Sequence, residues 1–559
     1  MQRTLESSEP RRSSVFFGNI SESAMLPLSS CWLVGFVASP SLVAPPMRAQ
    51  VAMPMLSATI KEEAIGTGTA FVPPPASGSL LGAIALIAGT TVGAGILALP
   101  AKTLAAGIAP TSVTLVGAWV YMAASGLLIA EVNVNTLCAT ERNAVSLSTM
   151  CEETLGTAGS RLSSLAYVFI HYTLLVAYML QGGTLIFELA DELLGAGSPL
   201  LASLPPTELV GPPLYAALLG GALLLAAPSV AERANSLAVV GVIASFVVLL
   251  VLGVQQVDPV LLAHVDIPAV VPAIPVMVLS LVYHNVVPTI CYQLGCDLPR
   301  IRTAIVVGSA IPALMFILWC AVVLGSVPFD AAASAAASGE VFDPLALLRG
   351  SGDAFGETVR IFSLLAVTTS FVGFYYGLSD FFADALGFDQ RAAQVAAQAA
   401  AANDSGSGSF SDGRGGDSGS GGDSGSGGDS GSGGVGPAVG ALAAAEAADA
   451  ELDIALRRSP AQRVILFALT LVPPVGFAVW DPSVFFSALD NAGTYGILTL
   501  FGIIPAAMAW AQRYGDGSDS GSSFAPEALP GGRLTLIGMI AAATAVVGVE
   551  SWDRLVGLG

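Results

Sequence analysis

The segment from Leu80 to Pro100 reads LLGAIALIAGTTVGAGILALP and carries no acidic or basic side chain. As a helix it is long enough to cross a hydrocarbon core of about 30 Å. Gly89, Gly93 and Gly95 fall in the middle of this run. Because a glycine costs about 1 kcal/mol relative to alanine inside a helix, the sequence predicts a membrane span with a weak point at its centre.

Two interpretations of these glycines are open. The spacing of Gly89 and Gly93 fits close packing of small residues between membrane helices. The alternative is an unwound hinge, whose free N–H groups and the positive end of the second half-helix face a substrate carboxylate without help from an arginine. On this interpretation the substrate-binding residues of the segment are Thr90, Thr91, Gly93, Ala94 and Gly95.

The composition indicates that most of the chain lies in a membrane. Of its 559 residues, 54% are hydrophobic and 11% are charged, whereas a soluble globular chain has roughly a quarter charged residues. The apolar residues form runs of about 15–25, the length that crosses a bilayer as helix. We predict an all-α membrane protein with about eleven spans, numbered in chain order: Leu80–Leu99, Pro110–Leu137, Leu162–Leu189, Leu214–Ala227, Leu237–Val254, Val271–Cys291, Thr303–Val327, Val359–Phe382, Val464–Trp480, Val484–Ala511 and Leu534–Val549.

The remaining sequence divides the chain into four parts. Residues 1–78 are rich in Ser, Pro and Arg and predict a disordered arm or an organelle-targeting region, although Glu6, Glu9 and Glu22 are unusual for a transit peptide. Residues 79–389 hold spans 1 to 8, and residues 459–559 hold spans 9 to 11. Residues 390–458 contain Ala-rich sequence and GGDSGS repeats, which bury too little apolar surface to fold and predict a flexible linker.

The distribution of charge bears on partners and on orientation. The net charge is −20, the acids lie mostly in the arm, the loops and the linker, and no basic patch with interleaved aromatics indicates a nucleic-acid partner. If the N-terminus is cytosolic, the loops on that side hold about three times as many basic residues as the opposite side, which predicts this orientation.

Span 6 carries a second break at the matching position of the second half. It contains YHN at Tyr283–Asn285, and Pro288 follows shortly after. Pro288 removes a backbone donor and disfavours helix at the preceding residue. A transporter built from inverted repeats breaks equivalent helices five spans apart. We therefore expect Tyr283, His284 and Asn285, with freed carbonyls, to hold the ammonium group of a substrate.

Four strings resemble the tryptophan/tyrosine permease family: GTTVGAGILALP in span 1, YHN in span 6, TSFVGFYYGLSDFFADAL in span 8 and ALDNAGTYGILTLFGIIPAAMAW in span 10. The chain is most similar to the plant and algal tyrosine-specific-transporter-like branch, within the amino acid–polyamine–organocation superfamily. The resemblance covers Leu80–Gly387 and Arg463–Val549 and leaves out the arm and the linker. It implies eleven spans, a LeuT-like five-plus-five inverted repeat plus one helix, proton-coupled uptake of aromatic amino acids, and a plastid location.

Ionisable side chains within membrane spans are costly and are therefore candidate functional residues. We predict proton coupling by His284, Glu131 and His171, with His284 favoured because it adjoins the break in span 6. The alternatives are a neutral His284 bonded to a carbonyl, a His171 that bonds between helices, and a Glu131 in an interfacial salt bridge. No cofactor and no metal site are expected, because the three histidines have no ligand-pair spacing.

The leading hypothesis is a proton-coupled carrier of tyrosine- or tryptophan-like amino acids that works by alternating access, with Tyr375 among the aromatic residues of its pocket. Hydroxyls at Thr368, Thr369 and Ser370 keep a sodium-driven or broader neutral amino acid carrier open, although back-bonding to the helix is their commoner use. A non-transporting amino acid sensor is a further alternative. A membrane enzyme is not expected, since no catalytic cluster of histidines or carboxylates is present.

Overall fold

A computed structural model of the full chain describes residues 78–93, 95–140, 145–195, 198–226, 228–329, 342–388, 458–481, 484–515 and 525–557. Residues 1–77 of the arm, residues 389–457 around the linker, and Ala94 in span 1 lie outside the described residues. The predictions made for the arm and the linker therefore stay predictions.

Most of the described residues are helical, and the helices match the predicted spans. Ten segments are long and apolar enough to cross a membrane, and one bent helix pair makes eleven. Their bounds in chain order are Leu80–Thr91 with Gly95–Thr103, Ile108–Thr140, Leu147–Leu194, Thr207–Leu225, Pro228–Gly253, Pro268–Gln293, Leu298–Ser326, Ala354–Ala385, Pro460–Trp480, Phe485–Tyr514 and Gly532–Gly557. Short helices Pro199–Ala202, Pro259–Leu262 and Pro344–Arg349 lie between spans.

Span 1 is broken where its glycines predict a weak point. The helix Leu80–Thr91 ends at Val92, which is extended (φ −76°, ψ 99°), and a second helix begins at Gly95. The two halves are bent by 56°. The predicted break of span 1 is confirmed, and the contact of its N–H groups with a substrate carboxylate stays a prediction. The packing interpretation is not supported at Gly89, because a Cβ placed there would have nothing within 4 Å.

Span 6 is also broken, slightly earlier than the sequence predicts. The first helix, Ile274–Ser280, is followed by three non-helical residues, Leu281–Tyr283. A short 3₁₀ turn then leads into the second helix, Val287–Gln293. Pro288 lies in the first turn of that last helix, where a missing N–H costs nothing because the helix has no partner for it there. The proline thus starts the second half-helix rather than interrupting one.

The two halves of the protein repeat the same packing in opposite orientation. Span 1 packs on span 7, and its equivalent, span 6, packs on span 2. Span 3 packs on spans 4 and 10, and its equivalent, span 8, packs on spans 9 and 5. Across the repeat, spans 1 and 6, 2 and 7, and 3 and 8 contact each other. Equivalent spans are five crossings apart and so run in opposite directions. Span 11 packs on span 10, outside the repeat. The LeuT-like five-plus-five arrangement with one added span is confirmed.

Backbone bonds fix the antiparallel pairing of the two broken spans. At the face where span 1 begins, called here the N-terminal face, the Gly78 N–H donates to the Gln293 carbonyl at the end of span 6 (2.8 Å). At the opposite face the Asp266 N–H, just before span 6, donates to the Ala106 carbonyl just after span 1 (2.9 Å). The two breaks are thereby held at the same depth.

Prolines within the spans free carbonyls that other spans then bond. Pro100 has no N–H to give to the carbonyl of Ile96, four residues before it. The indole N–H of Trp319, fully buried in span 7, donates to that carbonyl at 2.9 Å. In span 9 the Leu469 carbonyl, four residues before a proline, accepts from the Tyr172 hydroxyl at 2.8 Å. Side chains of neighbouring spans therefore satisfy backbone groups that no water reaches.

Candidate functional site

A cavity of about 470 Å³ lies where the two breaks meet. Spans 1, 3, 5, 6, 8 and 10 line it. The predicted site residues that the structure brings to its wall are Thr90, Thr91, Gly93, Gly95, His171, Tyr283 and Asn285. The described residues that line the cavity include no Asp, Glu, Lys or Arg. Three predicted residues, Glu131, His284 and Tyr375, lie away from the wall.

Glycine is required at the hinge of span 1 because other spans approach its backbone closely. A Cβ at Gly95 would lie 2.6 Å from the Ser280 Oγ and 3.0 Å from the Ser280 Cα, at the break of span 6. A Cβ at Gly93 would lie 2.9 Å from the Ser370 Oγ in span 8. The break of span 1 thus lies between span 6 and span 8. A side chain at Gly95 would force spans 1 and 6 apart, whereas one at Gly93 would first displace the Ser370 hydroxyl.

The hinge offers backbone donors and a pair of hydroxyls. Gly95 begins a helix, whose first N–H groups have no partner inside the helix and whose start carries partial positive charge. The Thr90 and Thr91 hydroxyls donate to the Leu86 and Ile87 carbonyls at 2.8 and 2.7 Å. Each hydroxyl keeps lone pairs and can only accept from a ligand. The hinge therefore presents donors to an acid group and acceptors to an ammonium group.

Aromatic rings of spans 3 and 8 form one wall of the cavity. The His171 ring lies 3.9 Å from the Tyr167 ring and 4.9 Å from the Phe374 ring, and Tyr178 lies 5.6 Å from Phe374 (centroid distances). All four residues line the cavity, with Phe501 on the side of span 10. The sequence did not single out Tyr167 or Phe501. Tyr167 could have been found, since it precedes His171 by four residues and so shares its helix face.

His284 is part of the core beside the cavity. Its ring lies between those of Tyr283 and Phe501, with centroids 4.7 and 4.8 Å away, and it is 1% exposed. Neither ring nitrogen makes a hydrogen bond of good geometry to a described residue. The neighbouring Met122 carbonyl accepts from the Tyr283 hydroxyl at 3.1 Å. Proton coupling by His284 stays a prediction, and the predicted contact with a substrate would need this stack to open.

Glu131 has the geometry of the salt-bridge alternative. Its carboxylate accepts two hydrogen bonds from the Arg513 guanidinium, at 2.7 and 2.6 Å, and one from the Ala528 N–H at 2.6 Å. The residue is fully buried and ties span 2 to span 10 and to the segment before span 11. This placement favours a structural role, although proton coupling by Glu131 is untested.

Tyr375 does not face the cavity. It is buried, and its ring meets the Tyr376 ring edge-on at 5.4 Å. The neighbouring Phe374 takes the place on the cavity wall that the sequence assigned to Tyr375. Consecutive residues on a helix point about 100° apart, which is why an aromatic triplet does not reveal which ring faces inward.

The cavity extends toward the N-terminal face and ends before the opposite one. Ala85, Leu86 and Gly89 of the first half-helix line it, whereas the second half-helix is largely buried in the core. On the opposite face the Lys102 ammonium lies 2.5 Å from the Asp490 carboxylate, which joins span 1 to span 10. That ion pair lies beyond the closed end of the cavity.

Span 10 has an unusual backbone next to the site. Residues Ala492–Ile503 form a π-helix. This conformation is rare in proteins as a whole, and where it occurs it is often at a functional site. Gly493 lies against the Pro275 carbonyl in span 6, so that a Cβ there would overlap it. Leu500 and Phe501 of this stretch line the cavity. The sequence did not predict the π-helix.

Two inverted halves whose broken spans meet at a central cavity are the architecture of secondary transporters. The model of the tryptophan/tyrosine permease family matches residues 76–401 and 448–550, well over half of the chain. The chain therefore belongs to the tryptophan/tyrosine permease family, a family of carriers and not of enzymes.

Two bacterial relatives agree with this assignment in sequence. The chain is 27% identical over 325 residues to the tryptophan-specific transport protein of Haemophilus influenzae, covering 56% of this chain and 75% of that protein. It is 27% identical over 313 residues to tyrosine-specific transport system 1 of the same organism, covering 55% and 73%. A crystal structure of MhsT in complex with L-phenylalanine aligns over 85% of this chain and 98% of that one, with a TM-score of 0.49 and 15% identity.

Proposed function

We propose that the protein carries an aromatic amino acid of the tyrosine or tryptophan kind across a membrane by alternating access, coupled to protons. The observation that carries this proposal is the meeting of the two breaks, with Gly95 against Ser280, at a cavity whose described lining has no Asp, Glu, Lys or Arg. The start of the helix at Gly95 would take the carboxylate through backbone N–H groups. Asn285 and the Thr90 hydroxyl supply acceptors for the ammonium group.

The walls of the cavity support an aromatic substrate. The rings of Tyr167, Tyr178 and Phe374 line the cavity, and aromatic rings contact one another edge-on or in offset stacks. A volume of about 470 Å³ lies within the range of small-molecule sites. Relatives in Haemophilus influenzae are named for tryptophan and tyrosine transport. A broader neutral amino acid carrier is the alternative substrate assignment.

Alternating access is supported by the asymmetry of the two ends. The cavity extends toward the N-terminal face, while Lys102 and Asp490 join spans 1 and 10 at the opposite face. Opening toward that face requires this pair to part, and closing toward the N-terminal face requires the half-helix Leu80–Thr91 to move against spans 6 and 8. The hinge at Gly93 permits such movement.

Protons are preferred to sodium as the coupling ion. His171 is the one of the three predicted proton carriers that lines the cavity. The Thr369 hydroxyl donates to the Leu365 carbonyl at 2.9 Å and Thr368 bonds the Tyr215 hydroxyl at 3.2 Å, and back-bonding is the commoner use of hydroxyls within a helix. Their lone pairs are still able to bind a cation, so the preference for protons rests on His171. We further propose that the protein lies in the plastid envelope. The excess of basic residues in the loops of the N-terminal face predicts that this face is the cytosolic one.

Reconstituted transport tests the proposal. The full chain in liposomes should accumulate labelled tyrosine when a pH gradient is imposed, and unlabelled tyrosine or tryptophan should compete more strongly than leucine. A sodium gradient without a pH gradient should not drive uptake. Protein-free liposomes and the variant Gly93→Leu serve as controls, and full uptake by that variant would refute the site assignment. Tyrosine binding without flux would indicate the sensor alternative.

A further inference from the structure

One histidine on the cavity wall has a ring nitrogen that the protein leaves for a ligand. The Nδ1 of His171 lies 2.8 Å from the Tyr167 carbonyl. A carbonyl can only accept, so Nδ1 carries the proton and, in the neutral ring, Nε2 is an acceptor. Among the residues that the structure describes, none donates a hydrogen bond to Nε2.

Nε2 lies beside a strip of span 8 that has no side chains. A Cβ at Gly377 would lie 3.2 Å from the His171 Nε2, and a Cβ at Gly373 would have nothing within 4 Å. Both glycines line the cavity and are one helical turn apart, on one face of the helix. The Tyr167 hydroxyl, which also approaches Gly377, donates to the Gly377 carbonyl at 3.3 Å and is therefore engaged. The strip leaves room for a flat ring that ends at His171.

The spacing along span 8 fits the length of the proposed substrate. Gly93, at the site proposed for the carboxylate, lies against Ser370, and His171 lies against Gly377. Seven residues of α-helix rise about 10 Å. That distance is comparable to the length of an extended tyrosine from its carboxylate to its phenolic oxygen.

We propose that the Nε2 of His171 accepts a hydrogen bond from the polar atom of the substrate's ring, and so selects tyrosine and tryptophan over phenylalanine. The donor is the phenolic O–H of tyrosine or the indole N–H of tryptophan. This inference rests on the proposed aromatic substrate and assigns His171 a role in specificity, separate from the proton coupling predicted for it. Phenylalanine would bury Nε2 without a partner, which lowers its affinity about tenfold to a hundredfold relative to tyrosine.

An analogue series on the wild-type protein gives the first test. Competition with labelled tyrosine uptake is measured for tyrosine, tryptophan, phenylalanine and 4-fluorophenylalanine, which keeps the outline of tyrosine but has no donor. The two analogues without a donor should require about tenfold to a hundredfold higher concentration than tyrosine. Competition by 4-fluorophenylalanine at the concentration of tyrosine would overturn the inference.

Two substitutions separate specificity from structure and from coupling. His171→Leu removes the acceptor and should bring the ratio of tyrosine to 4-fluorophenylalanine affinity close to one, while His171→Gln keeps an acceptor and should retain the preference. An unchanged ratio in His171→Leu, or loss of pH-driven accumulation with the preference intact, would overturn the inference.

Ligand-induced thermal stabilisation of the purified protein gives the same ratio without flux. Selective stabilisation by tyrosine in a protein that does not transport would refute the proposed function and still support the role of His171.

Discussion

Replacing Gly95 with alanine adds one methyl group at the point where the two broken spans touch. The new Cβ would lie 2.6 Å from the Ser280 Oγ, 3.0 Å from the Ser280 Cα and 3.1 Å from the Ser280 Cβ. Carbon atoms in contact are normally about 3.5–4.0 Å apart. The hydroxyl can rotate away, but the Cα belongs to the backbone of span 6. Relief therefore requires the two spans to separate by about half an ångström.

The expected size of the effect follows from that overlap. Overpacking of a well-packed interior costs about 1–3 kcal/mol. This penalty destabilises the conformation in which the two breaks are in contact. The population of that conformation should fall about 5- to 150-fold relative to conformations in which the breaks are apart. The variant should therefore fold, bind tyrosine more weakly and transport it more slowly. In the double variant with Ser280→Ala the closest atom is gone, but the backbone of residue 280 still crowds the new methyl group, so partial recovery is expected.

The measurement is initial uptake of labelled tyrosine in proteoliposomes, together with thermal unfolding in detergent. Gly117→Ala in span 2 is the matched control, because a Cβ at Gly117 has nothing within 4 Å and the residue is remote from the cavity. That control should transport normally and unfold at the same temperature or higher. Wild-type uptake and stability in Gly95→Ala would show that the breaks do not need this close approach, and the proposed site would lose its main support.

Two further perturbations test the framework around the site. Trp319→Phe leaves the buried Ile96 carbonyl without its donor, so the free energy of unfolding should fall by about 1–3 kcal/mol and the midpoint of thermal unfolding should drop; an unchanged midpoint would contradict the role of the indole. Asp490→Asn weakens the pair with Lys102 by about 1–2 kcal/mol and should raise labelling of a cysteine placed in the cavity by reagents from the opposite face. The double variant Lys102→Asp with Asp490→Lys restores an ion pair and should return the labelling to the wild-type level. Equal labelling in the wild type, Asp490→Asn and the double variant would exclude a gating role for the pair.

The sequence was most informative where backbone chemistry decides the structure. Three glycines at mid-span predicted the break of span 1, and a proline after YHN predicted a break in span 6 to within a few residues. Both signals concern the ability of the residue itself to form helix, which does not depend on distant contacts. The number of spans was equally accessible, because run length and the lack of charge are set by the bilayer.

The sequence was least informative where a partner far along the chain decides the role. Glu131 was predicted as a proton carrier, and nothing near it in sequence reveals Arg513, which lies on span 10. His284 and Tyr375 were assigned to the pocket from their neighbours in the chain, yet rotation of the helix turns them into the core. The π-helix of span 10 packs against spans 3, 6 and 11, and nothing in its local sequence predicted it.

The charge distribution explains why the breaks were a better guide to the site than the ionisable residues. The described lining of the cavity contains no Asp, Glu, Lys or Arg, while Glu131 pairs with Arg513 and Lys102 with Asp490 away from it. A carrier must pass through states with its site empty and dehydrated, and an unpaired charge there would be expensive in each of them. Helix ends and carbonyls carry only partial charges, so they can bind a zwitterion and remain tolerable when it leaves. A site of this kind is built from missing side chains, and its signature in the sequence is glycine and proline rather than aspartate or arginine.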